Sequence, residues 1–491
     1  MIKETICPLC PYGCKLGVEI KPGFFSRINY SGPLCARGNA FPLILSSPQR
    51  LYSPRWQGKE ISWSEALFET IKLLKNFSQE RVVIGSDSSL TLKEKEAVKE
   101  LASVLGTKEL FHFNLENFTN YLVEGVKIAS REHLLGSEVI LVIGDLFSRF
   151  PLFAQLVLNG KYEKKTKIFV LDHYPNRIAG FADEFLLSPP GKEVSLLREG
   201  KEKIFSLFAQ AKTGVLILDA PPGKFFDPIG LHFASQLFLL RIGGEKYFLP
   251  VSQMVGGEKT KRSGEVWEKM KEGDTSLFLF FGEEPPIIFP KNRYAIYFTP
   301  WRLNFDEGNS LLLPIPHLIE KEGEILTFWG KFFKPGLPPY SGTKGIEEVI
   351  GEIKKNFGEA WERIEERKTV VTKKEAEGFL EGGFSPSGEN GGLWLLNDEK
   401  AIEYRGFFDK GEEIKISPED AVRMGIKEKD WVLVGEEKVR LQVKIKEGIF
   451  PGFAYVSLAN FKVRRLFEMI IDSRLREIIL RPTLAKIWKE K

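Results

Sequence analysis

The sequence contains four cysteines whose spacing suggests one shared site. They are Cys7, Cys10, Cys14 and Cys35, and no further cysteine occurs in the 491 residues of the chain. A disulfide framework is disfavoured in a long intracellular chain, because the cytosol keeps thiols reduced. The concentration of cysteines in one short segment therefore predicts a metal site.

The spacing favours an iron–sulfur cluster over zinc. Cys7, Cys10 and Cys14 share one short loop, whereas Cys35 comes from a separate segment. Four thiolates suit either zinc or an iron–sulfur cluster. Structural zinc usually takes its ligands in two pairs, whereas three local ligands and a remote one suit the corners of a cubane. We expect a [4Fe-4S] cluster, with structural zinc and chance clustering as the alternatives.

Five further residues are candidates for cofactor binding. Arg37 follows the last cysteine, where it either contributes to the site or has no role beyond offsetting the charge of the site or facing solvent. Gly144 and Asp172 follow two predicted strands, at the edge where open α/β sheets bind ligands. Gly256 and Gly257 form a loop beside lysines that either receives a pyrophosphate or turns in solvent. No G-x-G-x-x-G motif follows either strand, so the sequence gives little support to a nicotinamide or flavin site.

The elements that would position these residues alternate between strand and helix. Short apolar runs predict strands at residues 81–85, 139–143, 167–171, 215–218 and 277–281. A helical pattern over residues 92–105 follows the first of them, and such alternation is typical of parallel sheets covered by helices. From residue 393 onward the pattern alternates, as in residues 439–445, which predicts an all-β domain. Linkers are expected at residues 335–340 and 381–392.

Composition places the chain among ordinary globular proteins. Its length predicts three or four domains, and 43% hydrophobic residues with a net charge of +4 exclude a disordered chain and a broadly basic nucleic-acid binder. The best candidate run, Val139–Ile143, is too short to cross a bilayer. The apolar region of a secretory signal peptide would fall where this sequence has Lys3, Glu4 and Cys7. We therefore expect a cytoplasmic protein. Abundant Lys and Glu with little Gln are typical of hyperthermophiles.

Several motifs resemble the molybdopterin oxidoreductase family, which includes formate dehydrogenase catalytic subunits and the G subunit of respiratory complex I. The most specific are ICPLCPYGC at residues 6–14, GPLCARG at 32–38, PQRL at 48–51 and ISPEDA at 416–421. Weaker matches follow in the family's order between them. The resemblance implies an α/β fold with an N-terminal [4Fe-4S] domain, two Rossmann-like α/β lobes and a C-terminal β-barrel.

The resemblance also suggests domain boundaries. We expect the cluster domain at residues 1–57 and the second α/β lobe at 136–245. The first lobe is expected to be discontinuous, formed by residues 58–135 together with about 246–385. The C-terminal β-barrel, which resembles a molybdopterin-dinucleotide-binding domain, is expected at residues 390–491.

The chain departs from the catalytic members of that family at the metal. Their molybdenum or tungsten usually takes a Cys or selenocysteine ligand, and no cysteine remains here for that role. The corresponding segment, residues 113–133, is short. His112, His133 and Ser130 lie in or next to it, but a lone His is more often a hydrogen-bonded residue than a base. Asp-His-Tyr at residues 172–174 also replaces the family's Asp-Pro-Arg.

These observations predict an electron-transfer subunit of a cytoplasmic multi-subunit oxidoreductase, similar to the complex I G subunit and with a degenerate molybdopterin site. No catalytic residue is assigned. One alternative is an active enzyme similar to formate dehydrogenase, with molybdopterin guanine dinucleotide, molybdenum or tungsten, and Arg37 between cluster and pterin. The other is a zinc-stabilised structural subunit. Expected partners are iron–sulfur, flavin or hydrogenase proteins, with no nucleic acid and with membrane association only through partners.

Overall fold

A computed structural model gives the structure of most of the chain. It describes residues 2–21, 24–29, 32–77, 81–252, 262–272, 277–283, 294–302, 309–339, 342–358, 369–381, 386, 392–398 and 411–490. Within these ranges, no helix combines the length and the apolar character needed to span a membrane.

The N-terminal region is a small antiparallel sheet followed by short helices. Its elements are β1 (Ile2–Ile6), β2 (Lys15–Lys21), β3 (Phe24–Asn29), α1 (Ala36–Asn39), α2 (Phe41–Leu45), β4 (Arg55–Trp56) and β5 (Lys59–Glu60). Strand β2 pairs with β1 on one side and with β3 on the other. The loop between β1 and β2 carries three of the four cysteines.

The next region starts the first α/β unit. Its elements are α3 (Trp63–Asn76), β6 (Val82–Ser86), α4 (Leu92–Val104), β7 (Leu110–His112), a 3₁₀ turn (Asn117–Asn120), β8 (Leu122–Val123) and α5 (Arg131–Gly136). Helices α3 and α4 each begin at a capping box, formed by Ser62 with Glu65 and by Thr91 with Glu94. Such boxes satisfy two of the free N–H groups at a helix start, so they fix where each helix begins.

A five-stranded parallel sheet forms the second α/β unit. Its elements are β9 (Val139–Ile143), α6 (Leu146–Arg149), α7 (Pro151–Lys164), β10 (Lys167–Asp172), a 3₁₀ turn (Ala179–Phe181), β11 (Glu184–Leu187), α8 (Glu193–Glu199), α9 (Lys203–Gln210), β12 (Thr213–Asp219), α10 (Pro228–Ile242) and β13 (Glu245–Val251). The strand order β11-β10-β9-β12-β13 is the 3-2-1-4-5 order of a Rossmann-type sheet, whose order reverses beside β9.

The chain then returns to complete the sheet of the first α/β unit. The elements are α11 (Ser263–Glu272), β14 (Leu277–Phe281), β15 (Tyr294–Thr299), β16 (Ser310–Pro314), β17 (Gly323–Thr327), β18 (Gly330–Lys334), α12 (Ile346–Lys354), β19 (Val370–Val371) and α13 (Lys373–Gly378). The seven-stranded sheet of the first α/β unit has the order β5-β4-β16-β15-β14-β6-β7. Strands from two distant parts of the chain therefore share one sheet.

The C-terminal region is a strongly curved sheet. Its elements are β20 (Leu393–Asn397), β21 (Glu413–Ile416), α14 (Pro418–Met424), β22 (Trp431–Val434), β23 (Val439–Ile445), β24 (Phe453–Val456), α15 (Phe461–Arg464), β25 (Glu468–Ile471), β26 (Ile478–Arg481), β27 (Thr483–Ala485) and β28 (Ile487–Lys489). Strands β27 and β28 lie at opposite ends of the order β27-β20-β24-β21-β23-β22-β28, although Lys486 alone separates them. The sheet is therefore nearly closed into a barrel.

The predicted α/β class is confirmed, and several predicted elements match closely. The strands predicted at residues 139–143, 277–281 and 439–445 are β9, β14 and β23 without a shift. All residues of β9 and β14 are buried, as expected for strands covered on both faces. The iron–sulfur content of the N-terminal region stays a prediction, and so do the domain boundaries.

Candidate cysteine site and its charge network

The three clustered cysteines lie in the turn of the β1–β2 hairpin. Antiparallel pairing of Ile6 with Lys15 brings the loop ends together, and the Cys7 N–H donates to the Cys14 carbonyl at 2.7 Å. Gly13 has a φ of +73°, a left-handed conformation that favours glycine within so short a loop. Cys35 is the residue immediately before α1. The fold thus supplies three thiols from one turn and one from a helix start.

All four thiols are free, and they influence one another electrostatically. Cys7 and Cys14 are buried, while Cys10 and Cys35 are partly exposed. Burial raises the pKa of the Cys7 thiol well above its usual range, and the neighbouring thiols Cys10, Cys14 and Cys35 raise it further. Burial also raises the pKa of Cys10 and of Cys14. The four sulfur atoms therefore belong to one electrostatic neighbourhood.

The donor set suits a soft metal centre. Thiolate is the ligand type that iron–sulfur clusters and zinc take. Burial raises the pKa of Cys7 and of Cys10 and so favours the protonated thiols, whereas a nearby positive centre would favour the thiolates. Within the described ranges, no group of three or more His, Cys, Asp or Glu side chains is already arranged around a metal position. Metal binding by the four cysteines therefore stays a prediction, supported by the type of donor and by the electrostatic influence of the thiols on one another.

An apolar cover shields the cysteine loop. The β17–β18 hairpin reaches it, since the Phe328 N–H donates to the Pro11 carbonyl at 2.9 Å. The rings of Tyr12 and Trp329 meet edge to face at 6.1 Å, and Trp329 also meets Phe153 at 5.7 Å. Burial of this kind lowers the local dielectric constant and controls solvent access, two factors that tune the potential of a metal centre.

Arg37 joins the cysteine loop to the second α/β unit. Its side chain is only 3% exposed, and its Nη1 donates to the Leu9 carbonyl at 3.3 Å. Its Nη2 donates to the carbonyl of Arg149, and its guanidinium lies 5.8 Å from the centre of the Phe150 ring. Arg37 also lowers the pKa of the Cys10 thiol, against the larger effect of burial. The predicted alternative of a solvent-facing Arg37 is therefore wrong.

Beyond Arg37 lies a buried ion network that the sequence analysis did not identify. Arg149 donates from Nη1 to Asp219 Oδ1 and from Nη2 to Glu116 Oε1, the latter at 3.0 Å. The Ser252 hydroxyl donates to the other oxygen of Glu116 at 3.0 Å. Asp219 ends strand β12 just as Asp172 ends β10, so the strand-end position was the one signal that could have revealed it.

The candidates Gly144 and Asp172 lie together at the same sheet edge. Gly144 has a φ of +105°, and a Cβ there would lie 2.2 Å from the Asp219 carbonyl oxygen, so glycine is required for two strand ends to approach. Asp172 Oδ2 accepts from Lys224 Nζ at 2.8 Å and from Asn176 Nδ2 at 2.6 Å. Gly256 and Gly257 lie outside the described residues.

This edge does not fit the dinucleotide that the family resemblance implies. A pyrophosphate would meet the buried carboxyl groups of Asp145, Asp172 and Asp219. The buried cations Lys224 and Arg149 already hold ion pairs with Asp172 and Asp219. The charges of this edge are therefore unsuited to the phosphates of a pterin dinucleotide.

The strand-end edge of the seven-stranded sheet in the first α/β unit is also acidic. Asp87 accepts from the Glu283 N–H at 2.7 Å, and Glu283 accepts from the Leu318 N–H at 3.0 Å. Arg50 and Glu320 form a fully buried ion pair beside them. Carboxylates thus line both strand-end edges at which a dinucleotide would approach.

The residues considered as substitutes for a metal ligand have structural partners. Ser130 caps α5, its Oγ accepting from the His133 N–H at 3.3 Å. The His133 ring stacks on Tyr247 at 3.7 Å. His112 lies 3.0 Å from the Ser88 hydroxyl, and burial lowers its pKa well below the usual range. These contacts explain all three residues without a metal.

Comparisons with known proteins support the resemblance. The chain is 28% identical over 216 residues to an F420-dependent formate dehydrogenase subunit alpha of Methanocaldococcus jannaschii, covering 40% of this chain and 32% of that protein. It is 24% identical over 406 residues to NADH-quinone oxidoreductase subunit 3 of Thermus thermophilus, covering 72% of this chain and 51% of that protein. No protein-family profile matches the chain.

The fold has a counterpart among solved structures. Acetylene hydratase from Pelobacter acetylenicus superimposes with a TM-score of 0.75 at 13% identity, covering 99% of this chain and 100% of that chain. At this identity the match shows the fold. The sequence matches span about a third to a half of the length of the curated relatives.

Proposed function

We propose that this chain, a relative of the molybdopterin oxidoreductases, is an electron-transfer subunit of a cytoplasmic oxidoreductase complex, holding a [4Fe-4S] cluster on Cys7, Cys10, Cys14 and Cys35. The observation that carries the proposal is the electrostatic grouping of four free thiols from one hairpin turn and one helix start. When bound, such a cluster accepts and releases single electrons. The similarity of the chain to subunits of two redox proteins supports the proposal that it has redox partners.

The protein's own residues would set the properties of that cluster. The aromatic cover formed by Tyr12, Phe328 and Trp329 excludes water from one side. Arg37 supplies a buried positive charge next to the loop, which favours the reduced form of a negatively charged centre. Partners of the expected kinds, iron–sulfur, flavin or hydrogenase proteins, would deliver or remove the electrons.

An active formate dehydrogenase-like enzyme is the second candidate, and the match to formate dehydrogenase alpha subunits favours it. The acidic, internally paired strand-end edges weigh against it, because they do not suit pyrophosphate groups. We therefore place electron transfer first.

Metal analysis of anaerobically purified protein tests the proposal. About four Fe per chain with no Mo, W or pterin would support it. Near-stoichiometric Mo or W with pterin would favour the enzyme instead, and Zn without Fe would favour a structural subunit. Substituting each cysteine by Ser should abolish the electron paramagnetic resonance signal of the reduced protein. The matched control Ser46→Ala, at the exposed end of α2, should retain it.

A further inference from the structure

We infer that the buried carboxyl group of Asp219 is a proton-binding site coupled to the charge of the cysteine site, taking up a proton when that site is reduced. The inference rests on the proposed cluster. It adds a function, electron transfer linked to proton uptake, that neither the cysteine motif nor the comparisons contain.

The first observation is the uneven bonding of the two Asp219 oxygens. The side chain is fully buried, and Oδ1 accepts from Arg149 Nη1. Among the described residues, no donor lies within hydrogen-bond distance of Oδ2, which is buried as well. An unpaired buried carboxylate oxygen is costly, and a proton on that oxygen removes most of the charge that has to be buried.

The second observation is a continuous line of contacts from Asp219 to the cysteine loop. Arg149 bonds Asp219, its carbonyl accepts from Arg37, and Arg37 bonds the Leu9 carbonyl between Cys7 and Cys10. The guanidinium groups of Arg37 and Arg149 lie 5.8 Å and 5.0 Å from the centre of the Phe150 ring. Every member of this line is buried, so little solvent screens charges along it.

The third observation is the charge around Asp219. Facing it are Arg149 from α6, Glu116 from the loop after β7, Asp145 from the turn after β9, and Lys224 from the loop after β12. Burial raises the pKa of Asp219 to about 6, and Glu116 and Asp145 add to this effect against the two cations. The group therefore titrates close to neutrality, where a change in nearby charge alters its protonation.

Charge balance gives the direction of the coupling. A one-electron reductant, such as a reduced iron–sulfur or flavin partner, adds one negative charge at the cysteine site. The nearby increase in negative charge favours protonation of Asp219. One proton then passes from a hydronium ion of the solvent to Oδ2: the O–H bond of the donor breaks, an O–H bond forms on the carboxyl group, and water is left. Reduction and protonation together leave the net charge of the region unchanged.

The test is a potentiometric titration of the anaerobic holoprotein, followed by electron paramagnetic resonance between pH 5 and pH 8. Above about pH 6 the midpoint potential of the wild type should fall as pH rises. The steepest possible slope is a tenfold change in the reduction equilibrium per pH unit, which is about 59 mV per pH unit for one electron. Asp219→Asn should flatten this dependence. The control Asp227→Asn removes another buried, arginine-paired carboxylate of the same unit and should retain it.

The outcomes separate this inference from the proposed function. A wild-type potential that does not vary with pH, or one that varies equally in Asp219→Asn, would overturn the inference while leaving the cluster in place. Absence of any reducible cluster would refute the proposed function itself. If Asp219→Asn fails to fold, the infrared difference spectrum of the reduced and oxidised wild type decides. A carboxyl C=O band appearing on reduction supports proton uptake, and its absence contradicts it.

Discussion

Lys224 Nζ lies 2.8 Å from Asp172 Oδ2, and both side chains are almost completely buried. The acidic residue that ends β10, a predicted cofactor contact, thus has its cation partner within the chain. Asn176 and the His173 N–H complete its hydrogen bonds at 2.6 Å and 2.8 Å. A fully satisfied carboxylate at a sheet edge has a structural explanation that does not require a ligand.

Removing only the cation of this pair should be strongly destabilising. We expect Lys224→Met to lower the free energy of unfolding by about 3–5 kcal/mol, because it leaves a buried carboxylate without its partner. The double variant Lys224→Met/Asp172→Asn should recover part of the loss. Urea unfolding of the single and double variants measures both. A double variant that loses the full sum of the two single effects would show that the residues do not act as a pair.

Lys334 should make stability rise with pH. Its side chain is fully buried, its Nζ donates to the carbonyls of Ile319 and Pro335 at 3.1 Å and 3.3 Å, and burial lowers its pKa to about 7. Between that pH and the usual lysine pKa, the unfolded chain binds more protons than the folded one. Stability attributable to Lys334 therefore increases as pH rises from 7 to 9, by at most about 1.4 kcal/mol per pH unit.

The variant Lys334→Met isolates that contribution. Urea unfolding at pH 6, 7, 8 and 9 should show the wild type gaining stability relative to the variant above pH 7. Equal pH profiles would mean that Lys334 keeps its proton in the folded state, held by its carbonyl partners.

Removal of the metal should leave the buried thiols poorly reactive. Thiolate is the reactive form, and burial raises the pKa of Cys7 and of Cys14. After chelation under anaerobic conditions, iodoacetamide at pH 7.5 should modify these two residues much more slowly than in the same chain unfolded in urea. Mass spectrometry of timed samples gives the rates. Equal rates in the folded and unfolded chains would show that the loop opens when the metal leaves.

Arg37 should contribute to stability as well as to the site. Arg37→Met removes hydrogen bonds from a charged group to the carbonyls of Leu9 and Arg149, at a cost of about 2–4 kcal/mol. Arg131→Met, at an exposed position on α5, should change the free energy of unfolding by no more than about 0.5 kcal/mol. Urea midpoints compare the two. Similar small effects would refute a bridging role for Arg37.

Local patterns predicted much of the fold. Strands such as β9 and β14 are continuous apolar runs bounded by polar residues, so their position can be read from the chain itself. Strand β12 extends beyond the predicted residues 215–218, because Thr213 and Asp219 pair with neighbouring strands, and pairing is not visible in a single segment. The four cysteines were singled out from type and spacing alone, and their role as metal ligands stays a prediction.

The charge network could not be predicted in the same way. Glu116, Arg149 and Asp219 come from three separate segments, and their polar types fit equally well on an exposed loop. The parallel pairing of β9 and β12 brings Arg149, which follows β9, close to Asp219, which ends β12. Glu116 reaches Arg149 from the loop after β7. Arg37 was singled out by its place after Cys35, but its burial against Arg149 depends on how the N-terminal region docks.

The cover over the cysteine loop has a consequence for biosynthesis. Thr5 Oγ1 donates to the Pro335 carbonyl at 2.6 Å, across a separation of 330 residues. At about 5–20 residues per second, a ribosome needs roughly 17–66 s to make the intervening chain. During that interval the cysteines have left the ribosome, but the β17–β18 hairpin that closes over them does not yet exist. Metal insertion into the nascent chain would therefore meet a loop without its aromatic cover, whereas in the completed protein the hairpin packs against the loop and two of the four thiols, Cys7 and Cys14, are buried.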